Sequence, residues 1–457
     1  MTTNKFTRRW RVGTVMAVML AAITAVTLPF GATTFAQDQS GAGKDKGLLP
    51  IPDYSGDIWA RNFLSGEWDG ARNDLAKRGV QFDVEWTQYL QSVAAGGIDT
   101  STLYGGNLAY NLKLDLMRMG VLPGALVQIR AETKYGNTVN GIAGPILPVN
   151  TAGLVPLTKP MNDDVAITIT DLNYTQFLTE QIGLMIGKFD TYNGDPNEFA
   201  SGRGISQFMN FNLIFSAPLG ILPYSTLGVG ALFMPCKRLT ISNLVASLND
   251  SSTTTGFDEL NAWFWSIEAD SQYQVGHLPG GLNAGYVYAW NNNFLNLQNP
   301  FIFVPGQGLQ VSAENNSWAT YFSLWQYLLV EDKVTGPVDL LNGVPDHQGF
   351  GLFSRIGFAD DKTNLAKFSA SLGLGGRGLI PRRDDDLFGI GYYYIKVSEN
   401  QIGNILGFDN KSQGFEAFYN LAISKSAYAA FDIQVLDAPA PDTDTPVVLG
   451  LRLNIRL

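Results

Sequence analysis

The chain has 457 residues, of which 45% are hydrophobic, 12% aromatic and 16% charged. The charged fraction lies well below the roughly 25% of an ordinary soluble domain. A single cysteine excludes an intramolecular disulfide framework and a cysteine-rich metal cluster. The formal net charge of −10 argues against a nucleic-acid partner, because such a surface would not neutralise phosphates.

The N-terminal segment has the features of an export signal. Four basic residues lie among the first eleven, an uncharged apolar run follows over residues 12–28, and small residues at 34 and 36 precede Gln37. This order is typical of a cleaved secretory signal peptide, which we expect to occupy residues 1–36. A single membrane-spanning helix is the alternative, but the run is at the short limit for spanning, and Pro29 and Gly31 follow it directly.

Residues 37–79 are predicted to form an N-terminal linker followed by one short helix. The stretch 38–58 is rich in Gly, Asp, Lys and Pro, a composition typical of loops. The helix is expected over Asp69–Arg78, capped by the Asp69 side chain and closed by Gly79. We expect Ala71, Leu75 and Ala76 to share one face and the helix to lie in the periplasm.

From residue 80 onward the hydrophobic period is two. In the stretch 126–135, LVQIRAETKY, every charged residue is at an even-numbered position, as is Gln128. The odd-numbered positions are mostly apolar. The stretches 80–90, 108–117, 264–275, 415–424 and 447–457 alternate in the same way. Alternate side chains of a strand point to opposite faces, so each stretch predicts a strand with one polar and one apolar face.

The alternation fits either a soluble β-sandwich or a membrane barrel. A sandwich rarely sustains the pattern over so long a single domain, whereas export, aromatic enrichment and a C-terminal strand favour the barrel. The sequence therefore predicts an all-β, transmembrane antiparallel β-barrel over residues 80–457, located in the bacterial outer membrane. If each strand with its loop takes about 24 residues, the domain holds about 16 strands. A barrel of 18 strands is the alternative. A barrel of that size encloses water.

The polar inner face predicts passage of solutes, and two kinds of channel remain open. Mixed charges at fixed spacing provide donors and acceptors for a neutral sugar, or they are merely the solvated wall of a general diffusion porin. A barrel-embedded lipid hydrolase is a third alternative and would need His277 or His347, which both lie in turn-like contexts. No motif indicates a cofactor or a metal. The candidate pore-lining residues are Lys113, Asp115, Arg130, Glu132, Lys134, Glu268, Asp270, Arg355, Arg377, Arg383 and Glu416.

One segment resembles the N-terminal signature of a known family. Residues 64–80, LSGEWDGARNDLAKRGV, resemble the L-x-G-x-W-G-G-x-R motif and short helix of the carbohydrate-selective porins called OprB-type, with Asp69 in place of the first glycine of the pair. Further similar blocks occupy 186–190, 216–220, 381–385, 414–419 and 449–452, so the resemblance covers about residues 60–457. The final Leu457 departs from the aromatic residue that usually ends such barrels.

The resemblance implies a 16-stranded outer-membrane porin, surrounded by outer-membrane lipid, for passive diffusion of glucose and related neutral sugars. It implies no enzymatic activity and no cofactor. It leaves open whether the barrel is a monomer or a homo-oligomer such as a trimer. Because the family is carbohydrate-selective, the resemblance favours the sugar channel over the general diffusion porin.

Overall fold

The computed structural model describes residues 47–154, 165–193, 196–257, 260–331, 337–338 and 344–457. The predicted signal peptide at 1–36, together with the linker residues 37–46, lies outside the described residues. Within the described part, sixteen antiparallel strands form one closed barrel. The predicted all-β barrel and its strand number are therefore confirmed.

The strands and helices have the following bounds. In chain order the strands are β1 (Val80–Ala95), β2 (Thr102–Asp115), β3 (Ala125–Gly136), β4 (Thr168–Phe177), β5 (Ile182–Asp190), β6 (Ser225–Cys236), β7 (Leu239–Ser247), β8 (Trp263–Val275), β9 (Leu278–Trp290), β10 (Phe294–Leu295), β11 (Phe301–Val304), β12 (Gly308–Val311), β13 (Ala313–Glu314), β14 (Ser317–Val330), β15 (Gly349–Ala359), β16 (Ala366–Arg377), β17 (Leu387–Val397), β18 (Lys411–Ser424), β19 (Ala427–Leu436) and β20 (Val447–Arg456). The α-helices are α1 (Ala71–Lys77), α2 (Phe211–Ile214) and α3 (Gln401–Leu406). Strands β10–β13 pair with each other in the loop between β9 and β14, outside the barrel sheet.

The barrel closes by pairing its first and last strands. Strand β1 pairs antiparallel with β20, with Glu85 opposite Arg456. Closure leaves no unpaired sheet edge, which is the condition for a sheet to exist in lipid. Along β20, Leu449 and Leu451 are exposed on the outer face while Arg452 and Asn454 are buried inside, as the alternation predicts. None of the helices in the described part of the chain has the length and hydropathy needed to cross a membrane.

The two ends of the barrel differ in the length of their connections. One end carries tight turns such as 237–238, 276–277 and 425–426. The other end carries long loops, including 137–167, 191–224 and 291–316. Short turns face the periplasm and long loops the exterior in outer-membrane barrels, so we assign the two ends accordingly. The N-terminal segment and the end of β20 lie at the periplasmic end.

Loop L3 connects β5 to β6 over residues 191–224, and its described residues, 191–193 and 196–224, fold into the barrel and contribute to its core. Phe199, Phe208 and Leu213 of L3 are fully buried in a cluster with inward-facing aromatic side chains of β14, β15, β17 and β18. The inner face of β15–β17 carries glycines where L3 approaches closely. At Gly351 and Gly391, a Cβ atom would lie 2.5 and 2.8 Å from Phe199 and Leu213. The loop therefore packs against backbone on this side and fills that half of the barrel.

Helix α1 starts two residues later than the sequence predicts, and its N-cap residue is a different one. It starts at Ala71, its N-cap residue is Gly70, and no side chain caps it. The predicted Asp69 cap is wrong because Asp69 itself has a positive φ of 54°, which turns the chain away from the capping geometry. The buried helix residues are Arg72 and Ala76, whereas Leu75 is exposed. Gly79 has φ 94° and ends the helix, as predicted.

Arg72 connects helix α1 to the first barrel strand, β1, and to Leu457, which follows the last barrel strand, β20. Its guanidinium is 2% exposed and lies over the rings of Tyr54, Phe63 and Trp68, at 3.9, 4.8 and 5.0 Å from their centroids. It donates to Ser65 Oγ, Gly66 O, Phe82 O, Asp83 Oδ1 and Leu457 O. Leu457 is the final residue, so one side chain connects the N-terminal segment, β1 and the C-terminus.

Replacing Arg72 by lysine is expected to lower the free energy of unfolding by about 2–3 kcal/mol. A lysine keeps the charge but cannot make five bonds from a planar fork, so several buried acceptors lose their donor. Urea unfolding of the purified barrel, followed by tryptophan fluorescence, measures the change. The control is Arg78→Lys, at an exposed position next to the same helix. Equal stability of the two variants would refute the role given to Arg72.

Candidate functional site

A water-accessible cavity lies between L3 and the wall formed by β1–β5 and the end of β20. Its volume is about 390 Å³. The strand wall contributes polar and charged side chains: Glu85, Asn111, Lys113, Gln128, Arg130, Asp171, Asp190 and Arg456. L3 packs against β14, β15, β17 and β18 on its other side, so this cavity lies between the loop and the remaining part of the wall.

L3 contributes a different surface to the same cavity. Tyr192, Ile205, Ile214 and Phe215 line it from the loop. The Tyr192 and Phe215 rings lie 5.1 Å apart, and Tyr192 also meets Tyr224 edge-on at 5.0 Å. L3 also contributes Ser201, Arg203 and Ser206, so the cavity is amphipathic: aromatic and aliphatic side chains lie in it beside polar and charged ones.

Beside this cavity, a buried carboxylate joins several charged groups. Glu132 is fully buried and lies 2.8 Å from Arg130 Nε, 3.2 Å from Arg203 Nη2 and 3.7 Å from Lys134 Nζ. Tyr224 donates its hydroxyl to the same carboxylate at 2.8 Å. Paired charges and hydrogen bonds of this kind hold each other in fixed positions, which makes this part of the wall rigid.

Arg203 brings L3 into this network and adopts an unusual backbone conformation. It has φ 55° between Gly202 and Gly204, which also have positive φ. Its Nη1 lies 2.7 Å from Asp190 Oδ2. A non-glycine residue in the left-handed region costs free energy unless its surroundings fix it, and here two carboxylates fix the side chain.

The structure brings together four of the predicted pore-lining residues. Lys113 and Arg130 line the cavity, while Glu132 and Lys134 continue the Arg130 stripe toward the exterior. Lys134 also lines a small adjoining space with Tyr192 and Arg203. These residues share one inner surface because they occupy the inward parity of the adjacent strands β2 and β3.

Three other predicted pore-lining residues face inward but hold neighbouring backbone instead of lining the cavity. Arg355 donates to the Leu213 and Ala200 carbonyls of L3. Glu416 accepts from the Met209 and Asn210 amides of the same loop. Asp115 accepts from the Leu48 and Leu49 amides and so fixes the N-terminal segment. Parity predicts the face of a strand correctly, but it does not predict which partner occupies that face.

The remaining predicted residues lie elsewhere in the barrel. Glu268 accepts a hydrogen bond from Tyr321 of β14, across Gly285 of the intervening strand β9. Asp270 lies two residues along the same strand as Glu268, β8. Arg377 ends β16 at the periplasmic mouth and pairs with Asp385 at 2.5 Å. None of these residues lines the described cavity.

Arg383 also lies at the periplasmic mouth, where it forms a bidentate pair with Asp386 at 2.7 and 2.6 Å. Partial burial by itself would raise the pKa of Asp386. Hydrogen bonds from Arg383, the Tyr419 hydroxyl and the Ala422 amide outweigh this effect, so the pKa of the Asp386 carboxyl lies below its usual value. This cluster fixes the turn between β16 and β17.

Several site residues were not predicted. Asp171 belongs to a strand outside the alternating stretches, and Asp190 ends a block noted only for its family resemblance. Arg203, Tyr192 and Phe215 belong to L3. Loops carry no period that shows which side chains face a cavity. The one local signal is the Gly-Arg-Gly sequence at 202–204, because two glycines around an arginine favour a tight turn that presents its side chain.

Comparison with known proteins identifies the family. Residues 99–457 match the model of the carbohydrate-selective porin, OprB family. The chain belongs to this family. It is an outer-membrane β-barrel porin for passive passage of carbohydrates, as the resemblance implied. No curated protein matches the chain.

Two solved structures of Pseudomonas putida OprB share the fold. The high-pH structure is 16% identical with a TM-score of 0.73, and the match covers 88% of this chain and 100% of that one. The low-pH structure is 12% identical with a TM-score of 0.54, covering 87% of this chain and 99% of that one. At these identities the likeness concerns the fold, and the chain's own residues must define its site.

Proposed function

We propose that glucose and related neutral sugars cross this OprB-family barrel through the cavity between L3 and the β1–β5 wall, without catalysis. The observation that carries the proposal is the amphipathic lining. A sugar ring has apolar faces and a polar rim, and here Tyr192 and Phe215 line the same cavity as Asn111, Arg130 and Asp171. The ring would lie against L3 while its hydroxyls exchange water for the strand side chains.

The charges favour sugars over ions of one sign. Positive and negative groups lie together on the wall beside the cavity and are paired through Glu132 and Asp190. Paired charges give weak preference for either sign of ion, while they still offer donors and acceptors to hydroxyls. Binding must remain weak, because a tightly held sugar would block its own path.

Glucose is expected to reduce the ion current through the purified protein in a planar bilayer in a saturable manner. A general diffusion porin would show no saturation. Replacing Phe215 by leucine keeps an apolar side chain but removes the ring surface, so the glucose concentration for half-block should rise about fivefold. The control Phe208→Leu removes a ring of L3 that packs on the barrel wall away from the cavity. If both variants respond like the parent, sugars take another route.

A further inference from the structure

Three successive residues of L3 turn the chain through the left-handed region. Gly202, Arg203 and Gly204 have φ values of 75°, 55° and 75°. Ile205 closes the turn by donating its amide to the Gly202 carbonyl at 2.8 Å. Glycine adopts this backbone without cost but arginine does not, so contacts from outside the turn must hold it in place.

Arg452 of β20 holds the backbone of this turn from the barrel wall. Its Nη1 donates to the Gly204 carbonyl at 2.7 Å, and the side chain is 2% exposed. Its register neighbour on β1 is Tyr89, which packs with Ile205 in a buried cluster. A Cβ atom at Gly204 would lie 2.9 Å from the Ala152 amide nitrogen, so the neighbouring loop leaves the turn little room. The two residues that follow Arg203 are therefore fixed by contacts with the wall.

Arg452 makes this contact with a buried charge that no carboxylate pairs. It forms no ion pair with any residue that the structure describes, and Asp432, two positions along the neighbouring strand β19, is not among its partners. Its Nε and Nη2 atoms are buried without a partner in the described part of the chain. The Gly204 carbonyl is thus its single hydrogen-bond partner among the described residues, and the positive charge strengthens that bond.

We propose that Arg452 is a positioning residue for the passage: by holding the Gly204 carbonyl it fixes where Arg203 lies and so sets the width of the cavity. The residues around this carbonyl line the cavity, namely Ser201, Gly202, Arg203, Ile205 and Ser206. A shift of the turn would therefore move this part of the loop surface as a whole. Arg452 itself does not line the cavity. The effect on glucose rests on the sugar route above, whereas the effect on ion flow does not.

Arg452→Met is the test variant, because it keeps a long side chain but removes the donor. The single-channel conductance of the purified protein in a planar bilayer should rise, since Arg203 is no longer fixed at the cavity. The glucose concentration for half-block should rise about threefold, within the range of coupling between residues of one network. Arg452→Lys keeps a charged donor and should remain close to the parent.

Lys188→Met is the matched control. Lys188 is a buried cation that donates to the Ser251 and Thr254 carbonyls of another loop, and it does not line the cavity. Removing it costs the same kind of charged bond to loop backbone, but it leaves the turn around Arg203 in place. Its conductance and glucose response should therefore match those of the parent.

A double-mutant cycle with Arg203→Ala separates positioning from a general loss of stability. Arg203→Ala should itself raise the conductance, and Arg452→Met should add nothing in that background, because no side chain is left to misplace. Gly204→Ala disturbs the same turn from the loop side, where φ is 75° and a Cβ atom has no room. It should reproduce the conductance of Arg452→Met, and this holds as a test even if the latter assembles poorly.

The outcomes separate this inference from the sugar route itself. Parental conductance in Arg452→Met, or additive effects of the Arg452 and Arg203 changes, would overturn the inference. Equal effects of Arg452→Lys and Arg452→Met would also overturn it, because the donor would then be irrelevant. If glucose does not block the parent, the sugar route fails, while the conductance cycle still decides the role of Arg452.

Discussion

Replacing Glu132 by alanine is expected to lower the free energy of unfolding by about 3–5 kcal/mol. The carboxylate is fully buried and pairs with Arg130, Lys134 and Arg203. Its removal leaves three cations close together without the charge that holds them, and removing one partner of a buried pair is costly for that reason. Urea unfolding measured by tryptophan fluorescence gives the change, and reversal potentials in a salt gradient should shift toward anion preference.

The double variant Arg130→Ala, Glu132→Ala is the matched control for this prediction. It removes one cation together with the carboxylate, so it should destabilise the barrel by less than the sum of the two single changes. It should also raise ion conductance, because removing the Arg130 side chain widens the cavity that it lines. A Glu132 variant as stable as the parent, or strict additivity, would show that the charges do not act as one network.

Placing arginine at Leu451 is expected to destabilise the barrel by about 2–4 kcal/mol. Leu451 lies in the middle of β20 on the outer face and is 47% exposed, so the new charge would face the hydrocarbon of the bilayer. The fraction of assembled barrel in native membranes, seen as the heat-modifiable form on a gel, measures the effect.

Gln128→Arg is the control for the outer-face prediction, because the same charge then enters the water-accessible cavity. It should be tolerated. Asn454 also lies on the inner face, but it is buried and donates to Glu85 and Thr87, so a substitution there would test those bonds instead. Equal assembly of the Leu451 and Gln128 variants would contradict this assignment of the strand faces.

The sequence predicted the wall of the barrel well because a wall is periodic. Alternation placed Arg130, Glu132 and Lys134 on one inner stripe, and they meet there. It also turned Arg355 and Glu416 inward, but it could not show that L3 covers both of them. The same limit applies to Asp115, whose partners lie in the N-terminal segment.

Half of the site could not be predicted, because it belongs to a folded loop. Arg203 reaches Asp190 and Glu132 only through the path of L3 inside the barrel. That path depends on contacts far apart in sequence, such as Phe199 against Gly351, which no local pattern encodes.

A crystal structure of the protein soaked in glucose would test the sugar route most directly. We predict a sugar ring between Phe215 of L3 and the Arg130 side of the strand wall, with hydroxyls within hydrogen-bond distance of Arg130 or Asp171. A sugar bound on the other side of L3, beside Glu268 and Asp270, would contradict the route through the cavity.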